Sequence, residues 1–272
     1  MPSKNNAQVQ DINTHGMEEE IILMSEEADK FEENWVKKRE KNGAKIIKVG
    51  NHEEDLFPIN PKILTKVGHG VYMEHTMTMY HFYNTSNHIL IEKFKDILIH
   101  CPTIKRLNLY ACKSGLPPIE SDKKTLAERL SITGSKERFK YGQMSFAEYF
   151  ILKLAESFSK EEKEFPQGLD LVACLGDVKS NNGKPGISGN YRKNLVQETY
   201  MDIDSKSKLI RINCNKFLAE YKLINSTKQE NTSMTFYSNT SNQRNTFFVA
   251  QTLSESQSPQ EDISYSYQNE HN

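Results

Sequence analysis

Ile63-Leu64-Thr65-Lys66-Val67 runs directly into Gly68-His69-Gly70, and Leu107-Asn108-Leu109-Tyr110 runs directly into Ala111-Cys112-Lys113-Ser114-Gly115. Each is a short, β-favouring apolar run that stops on small residues, the pattern of a buried strand and the loop at its C-terminal end. Between them, residues 87–100 set Leu90, Phe94, Ile97 and Leu98 at helical spacing, with Asn87 suited to the helix start and Pro102 beyond its end. A helix joining two strands is a right-handed crossover between parallel neighbours, so both runs are expected to end at one edge of one sheet. That edge would carry an imidazole, His69, and a thiol, Cys112.

Outward from this centre the pattern alternates. Residues 18–40 set Ile21, Met24, Ala28, Phe31 and Trp35 at three- and four-residue steps, which predicts one amphipathic helix closed by Asn42-Gly43. A strand is expected over 44–49, and residues 71–86, rich in Met, Tyr, Thr and Asn without clear period, read as a loop with room for a short strand. Residues 116–143 break the alternation as an insertion with a short helix near 122–131. Ser145 and Glu148 then have capping-box spacing ahead of a helix carrying Phe146, Ala147, Phe150, Ile151, Leu154 and Phe158.

Leu169–Ala173 reads as the next strand, ending in Cys174-Leu175-Gly176-Asp177, and the glycines at 183, 186 and 189 predict a mobile loop after it. Residues 196–203 and 208–212 flank a polar Asp204–Ser207 turn as a hairpin; a helix near 214–224 and strands near 234–238 and 246–250 follow. The expected fold is α/β: a mostly parallel central sheet between helix layers, with a C-terminal antiparallel hairpin region. Residues 1–16 and 252–272 hold too few aliphatics to offset ordering entropy and read as tails around one domain, 17–251.

Composition excludes several classes. Lys+Arg 35 against Asp+Glu 36 leaves no global charge for nucleic acid. No apolar stretch approaches the roughly 18–20 residues of a membrane span, so a soluble chain is expected. The four cysteines, Cys101, Cys112, Cys174 and Cys214, form no C-x-x-C pair, which suits a reducing compartment without disulfides or zinc. His69 and His75 lack the spacing of two metal ligands on one helical face, and no phosphate-cradling glycine loop is present.

A thiol with a free pKa of roughly 8.5 needs an adjacent positive field to react at neutral pH, and His69 is placed to supply it. Gly70, without a side chain, allows its N–H close to a substrate carbonyl, where it and the Cys112 N–H would form an oxyanion hole. Ala111 and Gly115 leave room beside the thiol. Cys174 competes as nucleophile, since Val172-Ala173-Cys174 also ends a strand; Cys112 is preferred because it directly follows the first crossover after His69. For the substrate pocket the sequence offers Asp177, which would receive a basic side chain or merely cap a loop, together with Cys174 and an apolar alternative around Tyr72, Met73, Met79 and Tyr80.

The ordered set Val67-Gly68-His69-Gly70, Ile104-Lys-Arg-Leu-Asn-Leu-Tyr-Ala-Cys112-Lys-Ser-Gly115, Ser145-Phe-Ala-Glu-Tyr-Phe and Leu169-Asp-Leu-Val-Ala-Cys-Leu-Gly-Asp177 resembles the caspase-like (clan CD) cysteine peptidases over about 44–180. The nearest resemblance is to bacterial toxin and effector members related to the RTX-toxin autoprocessing protease. The resemblance implies a three-layer caspase-like sandwich, a dyad of His69 and Cys112, and a protein or peptide substrate. The sequence departs from the family at the 116–143 insertion and at Cys174, where small or aromatic residues are usual.

No cofactor is expected for such chemistry. The related toxin proteases bind inositol hexakisphosphate on a basic flap, and Lys184, Arg192, Lys193, Lys206, Lys208 and Arg211 lie on or beside the expected hairpins. The alternative is an ordinary solvated face, since Glu198, Asp202 and Asp204 interrupt the patch. The Ser- and Glu-bearing residues 252–272 resemble export signals of effectors that bacteria deliver into host cells, which would make a host protein, or the chain itself, the substrate. Two other classes use the same residues: a Cys–His acyltransferase or deamidase, and a non-catalytic binding module on a caspase-like scaffold.

Overall fold

The structure, a computed structural model, describes residues 20–50, 60–73, 78–117, 139, 144–181, 184–188 and 198–225. The elements in chain order are β1 (Glu20–Met24), α1 (Lys30–Glu40), β2 (Lys45–Lys48), β3 (Ile63–Val67), β4 (Gly70–Met73), β5 (Thr78–Phe82), α2 (Asn87–His100), β6 (Arg106–Tyr110), α3 (Phe146–Lys160), β7 (Asp170–Cys174), β8 (Asp177–Asn181), β9 (Lys184–Ser188), β10 (Met201–Asp204), β11 (Leu209–Asn213) and α4 over 214–225. Seven strands form one sheet in the order β10-β11-β7-β6-β3-β1-β2. From β2 to β7 neighbouring strands are parallel; β11 and β10 extend the sheet antiparallel.

Helices cover both faces. On one, α2 and α3 pack together, with Phe94 and Phe150 rings 5.0 Å apart over Leu64, Leu107 and Leu171. On the other, Trp35 of α1 is fully buried with Ile22, Val67, Tyr110 and Val172. The expected three-layer α/β sandwich with a mostly parallel sheet is therefore the observed one. No described helix is long and apolar enough to cross a membrane.

The decisive pair is as read. β3 and β6 are parallel neighbours in register from Ile63 opposite Arg106 to Val67 opposite Tyr110. The capping box before α3 is complete: the Ser145 hydroxyl accepts from Glu148 N–H, and the Glu148 carboxylate accepts from Ser145 N–H at 2.7 Å.

Five expectations are corrected. Residues 18–40 are not one helix: Glu20–Met24 form β1, and α1 starts only after Asp29. Ile21, Ile22 and Leu23 are all fully buried, because β1 fills the slot between β2 and β3 and is covered on both faces. Gly70–Met73 and Thr78–Phe82 pair antiparallel as β4 and β5, two strands where at most one short one was expected within a loop. After Cys174, where a mobile loop was expected, Asp177–Asn181 and Lys184–Ser188 pair antiparallel as β8 and β9. The hydroxyl that caps α2 belongs to Ser86; the Asn87 amide donates instead to the Tyr80 carbonyl. The C-terminal hairpin is β10–β11, starting at Met201 and docking on β7. The expected helix at 122–131, the strands at 234–238 and 246–250 and both tails lie outside the described residues.

The parallel strands run β2-β1-β3-β6-β7, so the chain moves one way from β1 and the other way from β3. The crevice beyond the carboxyl ends of β1 and β3 is such a fold's usual ligand position. A buried ion pair closes its floor. Lys66 of β3, fully buried, donates from Nζ to Glu32 of α1 at 2.6 Å and to the Ser25 hydroxyl after β1 at 2.8 Å. Glu32 also accepts the Ser25 N–H at 2.7 Å.

Candidate active site

His69 and Cys112 each stand two residues beyond the last register pair, Val67 opposite Tyr110. The ladder is prolonged one step by Gly68, whose N–H donates to the Tyr110 carbonyl at 3.2 Å. Both residues therefore follow neighbouring parallel strands at the same level of the same edge.

The turn that carries Cys112 is built by the residues after it. Lys113 adopts φ 54°, a left-handed conformation that bends the chain sharply, and its N–H donates to the Gly176 carbonyl at 2.9 Å. The Ser114 hydroxyl donates to the Leu109 carbonyl and accepts the Cys174 N–H, while Gly115 N–H donates to the Cys174 carbonyl. Ser114 and Gly115 thus bind the end of β6 to β7. Any Cβ at 115 would stand 2.3 Å from Ile210 Cγ2, so glycine is required there.

Around the sulfur the contacts are polar. Val178 N–H donates to Cys112 Sγ at 3.2 Å, a bond that a thiolate accepts more strongly than a thiol. The Cys112 N–H itself has no hydrogen-bond partner among the described residues. Tyr72, on β4, donates its hydroxyl to the Cys112 carbonyl at 2.9 Å; burial first, then the neighbouring Cys112, pushes that hydroxyl far above its ordinary pKa. Lys113 Nζ lies 3.6 Å from the Asp177 carboxylate and 5.9 Å from the centre of the Tyr72 ring. Tyr72 and Asp177, read as pocket residues, thus flank Cys112 together, with Asp177 already holding a cation.

The four thiols differ sharply. Cys101, Cys174 and Cys214 are buried, and burial pushes each of them up; for Cys174 the neighbouring Cys112 adds to the effect. Cys174 sits within β7, opposite Leu209 of β11, with no exposed surface. A substrate does not reach it without opening the core. Cys112 alone is half-buried, at the edge of the α1-side core.

The His69 side chain is 52% exposed. Its ring lies 4.8 Å from that of Phe31, which packs at the same core edge as Cys112. Its Nε2 is 3.6 Å from the Asp29 carboxylate. Gly70 opens β4, where a Cβ would come within 2.8 Å of the Met79 side chain, so its bareness serves the hairpin as well as any substrate.

Of the basic cluster, Lys206 and Lys208 lie in the β10–β11 turn and Arg211 is exposed on β11 opposite Asp202. The Asp204 carboxylate accepts the Lys206 and Ser207 N–H groups. Lys184 opens β9, in a different sheet, and Arg192 and Lys193 lie outside the described residues. Sequence reasoning missed Asp29, Lys113 and Val178. Asp29 was hidden inside the supposed 18–40 helix; Val178 touches Cys112 only through the tertiary fold.

No family model matches the chain, and no curated protein matches it.

Proposed function

We propose that the chain is a cysteine endopeptidase with Cys112 as nucleophile and His69 as its base, a caspase-like enzyme in the sense of the resemblance above. One observation carries this reading: the equal offset of His69 and Cys112 beyond the paired Val67 and Tyr110 of parallel β3 and β6. The Val178 N–H aimed at Sγ and the burial of the three other thiols support it.

In the reaction the Cys112 thiol gives its proton to His69, and the sulfur attacks the scissile carbonyl, forming the S–C bond. The Cys112 and Gly70 N–H groups receive the developing oxyanion. His69 returns the proton to the leaving amine as the C–N bond breaks, and water, deprotonated by His69, then hydrolyses the thioester. The substrate is a protein or peptide, with its side chain before the scissile bond lodged near Tyr72 and Asp177. The composition of residues 252–272 supports export from a bacterium and a target in a host cell.

The test is a peptide library with a thiol-reactive peptide probe and mass analysis of products. Cleavage and labelling by the native chain, both lost in Cys112→Ala and cleavage lost in His69→Ala, are expected. Labelling that survives Cys112→Ala but disappears in Cys174→Ala moves the nucleophile to β7. Acyl transfer without cleavage replaces the peptidase by an acyltransferase.

A further inference from the structure

We propose that the Tyr72 hydroxyl is a positioning group for the oxyanion hole, holding the backbone N–H groups of Gly70 and Cys112 at the spacing a tetrahedral intermediate requires. This rests on the reading of Cys112 as the nucleophile of a peptidase.

The two donors come from different sheets. Gly70 belongs to β4, in the small sheet with β5, and Cys112 follows β6 of the central sheet. Each N–H is left over by its own backbone. The His69 carbonyl accepts the Tyr83 N–H at 2.8 Å, so His69 and Tyr83 form a hydrogen-bonded pair and the next pair, Gly70 opposite Phe82, does not bond. The Gly70 N–H therefore points away from β5. On the other side, the Ala111 carbonyl accepts the Ser114 N–H at 3.2 Å, which orients the peptide carrying the Cys112 N–H. The ladder joining β3 to β6 ends at Gly68, two residues before Gly70, and does not by itself fix the distance between the donors.

Tyr72 supplies that link. It stands two residues after Gly70 on the same strand, and its hydroxyl donates to the Cys112 carbonyl at 2.9 Å. The register of β4 shifts between Val71 and Tyr72, an irregularity of the kind that re-aims a side chain beside a site. The Cys112 carbonyl and the Lys113 N–H share one peptide group, whose N–H donates to the Gly176 carbonyl at 2.9 Å. Ser114 thus holds the peptide before Cys112, and Tyr72 with Gly176 holds the one after it, so both backbone torsions of Cys112 are constrained. Burial keeps the Tyr72 hydroxyl protonated and therefore a donor. The Lys113 ammonium, 5.9 Å from the ring centre, steadies the ring.

Tyr72→Phe removes the hydroxyl and keeps the ring. On the full chain, kcat and KM are measured for a peptide the native protein cleaves, together with the affinity of the aldehyde of the same sequence. Sγ bonds to the aldehyde carbon and the carbonyl pair moves onto oxygen, so this binding draws on the oxyanion hole. Alkylation by iodoacetamide, in which Sγ displaces iodide at a saturated carbon, does not. The kcat of Tyr72→Phe should fall on the order of tenfold to a hundredfold, below the roughly 10²–10³ of a deleted donor, with aldehyde affinity falling alongside. KM, the alkylation rate and the circular dichroism spectrum should stay native.

Native kcat and aldehyde affinity in Tyr72→Phe overturn this assignment alone and leave the peptidase standing. A raised KM with unchanged kcat makes the hydroxyl a pocket group, and alkylation that falls in step with kcat puts its effect on the thiol or the fold; either result overturns the proposal. If the native chain cleaves no peptide, a panel of dipeptide aldehydes takes the place of the matched one. Weaker aldehyde binding by Tyr72→Phe then keeps the positioning role while the peptidase reading fails, and no binding by the native chain removes both.

Discussion

Ser114 and Cys174 join the ends of two parallel strands by one hydrogen bond, the Cys174 N–H donating to the Ser114 hydroxyl at 3.0 Å in a fully buried setting. The same hydroxyl donates to the Leu109 carbonyl at 2.9 Å, so a single side chain fixes the turn on which Cys112 rides. Ser114→Ala leaves the buried Cys174 N–H without an acceptor, a cost of about 1–3 kcal/mol. Urea unfolding should show this loss, and Cys112 alkylation should change with it. A variant as stable as the native chain would mean that the turn holds itself.

Gly115→Ala should destabilise by about 1–3 kcal/mol through overpacking. The new methyl would stand 2.3 Å from Ile210 Cγ2 and 3.3 Å from Ala173 Cβ, inside the joint between β6, β7 and β11. Since both changes use the same space, Ile210→Ala combined with Gly115→Ala should cost less than the sum of the two singles. Strict additivity in denaturant unfolding would contradict the contact.

Lys66→Met should cost roughly 3–5 kcal/mol, because removing one partner leaves the other buried and uncompensated. The stranded group is Glu32, which would keep only the Ser25 N–H bond of 2.7 Å. Adding Glu32→Gln to Lys66→Met should recover part of the loss, since a neutral amide is cheaper to bury than a carboxylate. Equilibrium unfolding of the three variants decides this; a single variant within 1 kcal/mol of native would show that the pair is dispensable, on the order of an exposed bridge.

Acid should loosen the α2–α3 face by a defined route. Hydrogen bonds from Lys163 and Lys95 hold the Glu161 carboxyl down to about 2, and bonds from Lys95 and Ser157 lower Glu92 as well. A carboxyl depressed in the folded state contributes stability above its unfolded pKa of about 4.3 and loses it as pH falls through the folded value. The window is therefore from about pH 4.3 down to about pH 2. Urea midpoints of native protein and Lys95→Met should converge as pH falls through it; a gap that stays constant would put the effect of Lys95 in its packing.

Much of the frame was legible because it is local. β3 and β6 are short β-branched or leucine-rich runs closed by small residues, and the crossover helix between them carries its own period, so their parallel pairing could be reasoned out. The α3 capping box spans four residues and needs nothing beyond them. β1 failed for a physical reason: Ile21, Ile22 and Leu23, read with Phe31 and Trp35 downstream, fit a helical stripe as well as a strand buried on both faces. Only the open slot between β2 and β3 chooses between them. That misreading carried Asp29 into a helix interior and hid its place beside His69.

By itself the sequence determined which chemistry is on offer: one His-Gly and two Ala-Cys strand ends in an alternating α/β chain. The tertiary structure decided which of the two thiols meets solvent. Tyr110-Ala111-Cys112 and Val172-Ala173-Cys174 look alike locally, yet β6 ends at Tyr110, two residues before its cysteine, whereas β7 continues through Cys174 because β11 pairs there with Leu209. A thiol inside a paired strand is desolvated and held protonated, and one in the turn beyond the ladder keeps a face open to a substrate and to the imidazole's edge of the sheet.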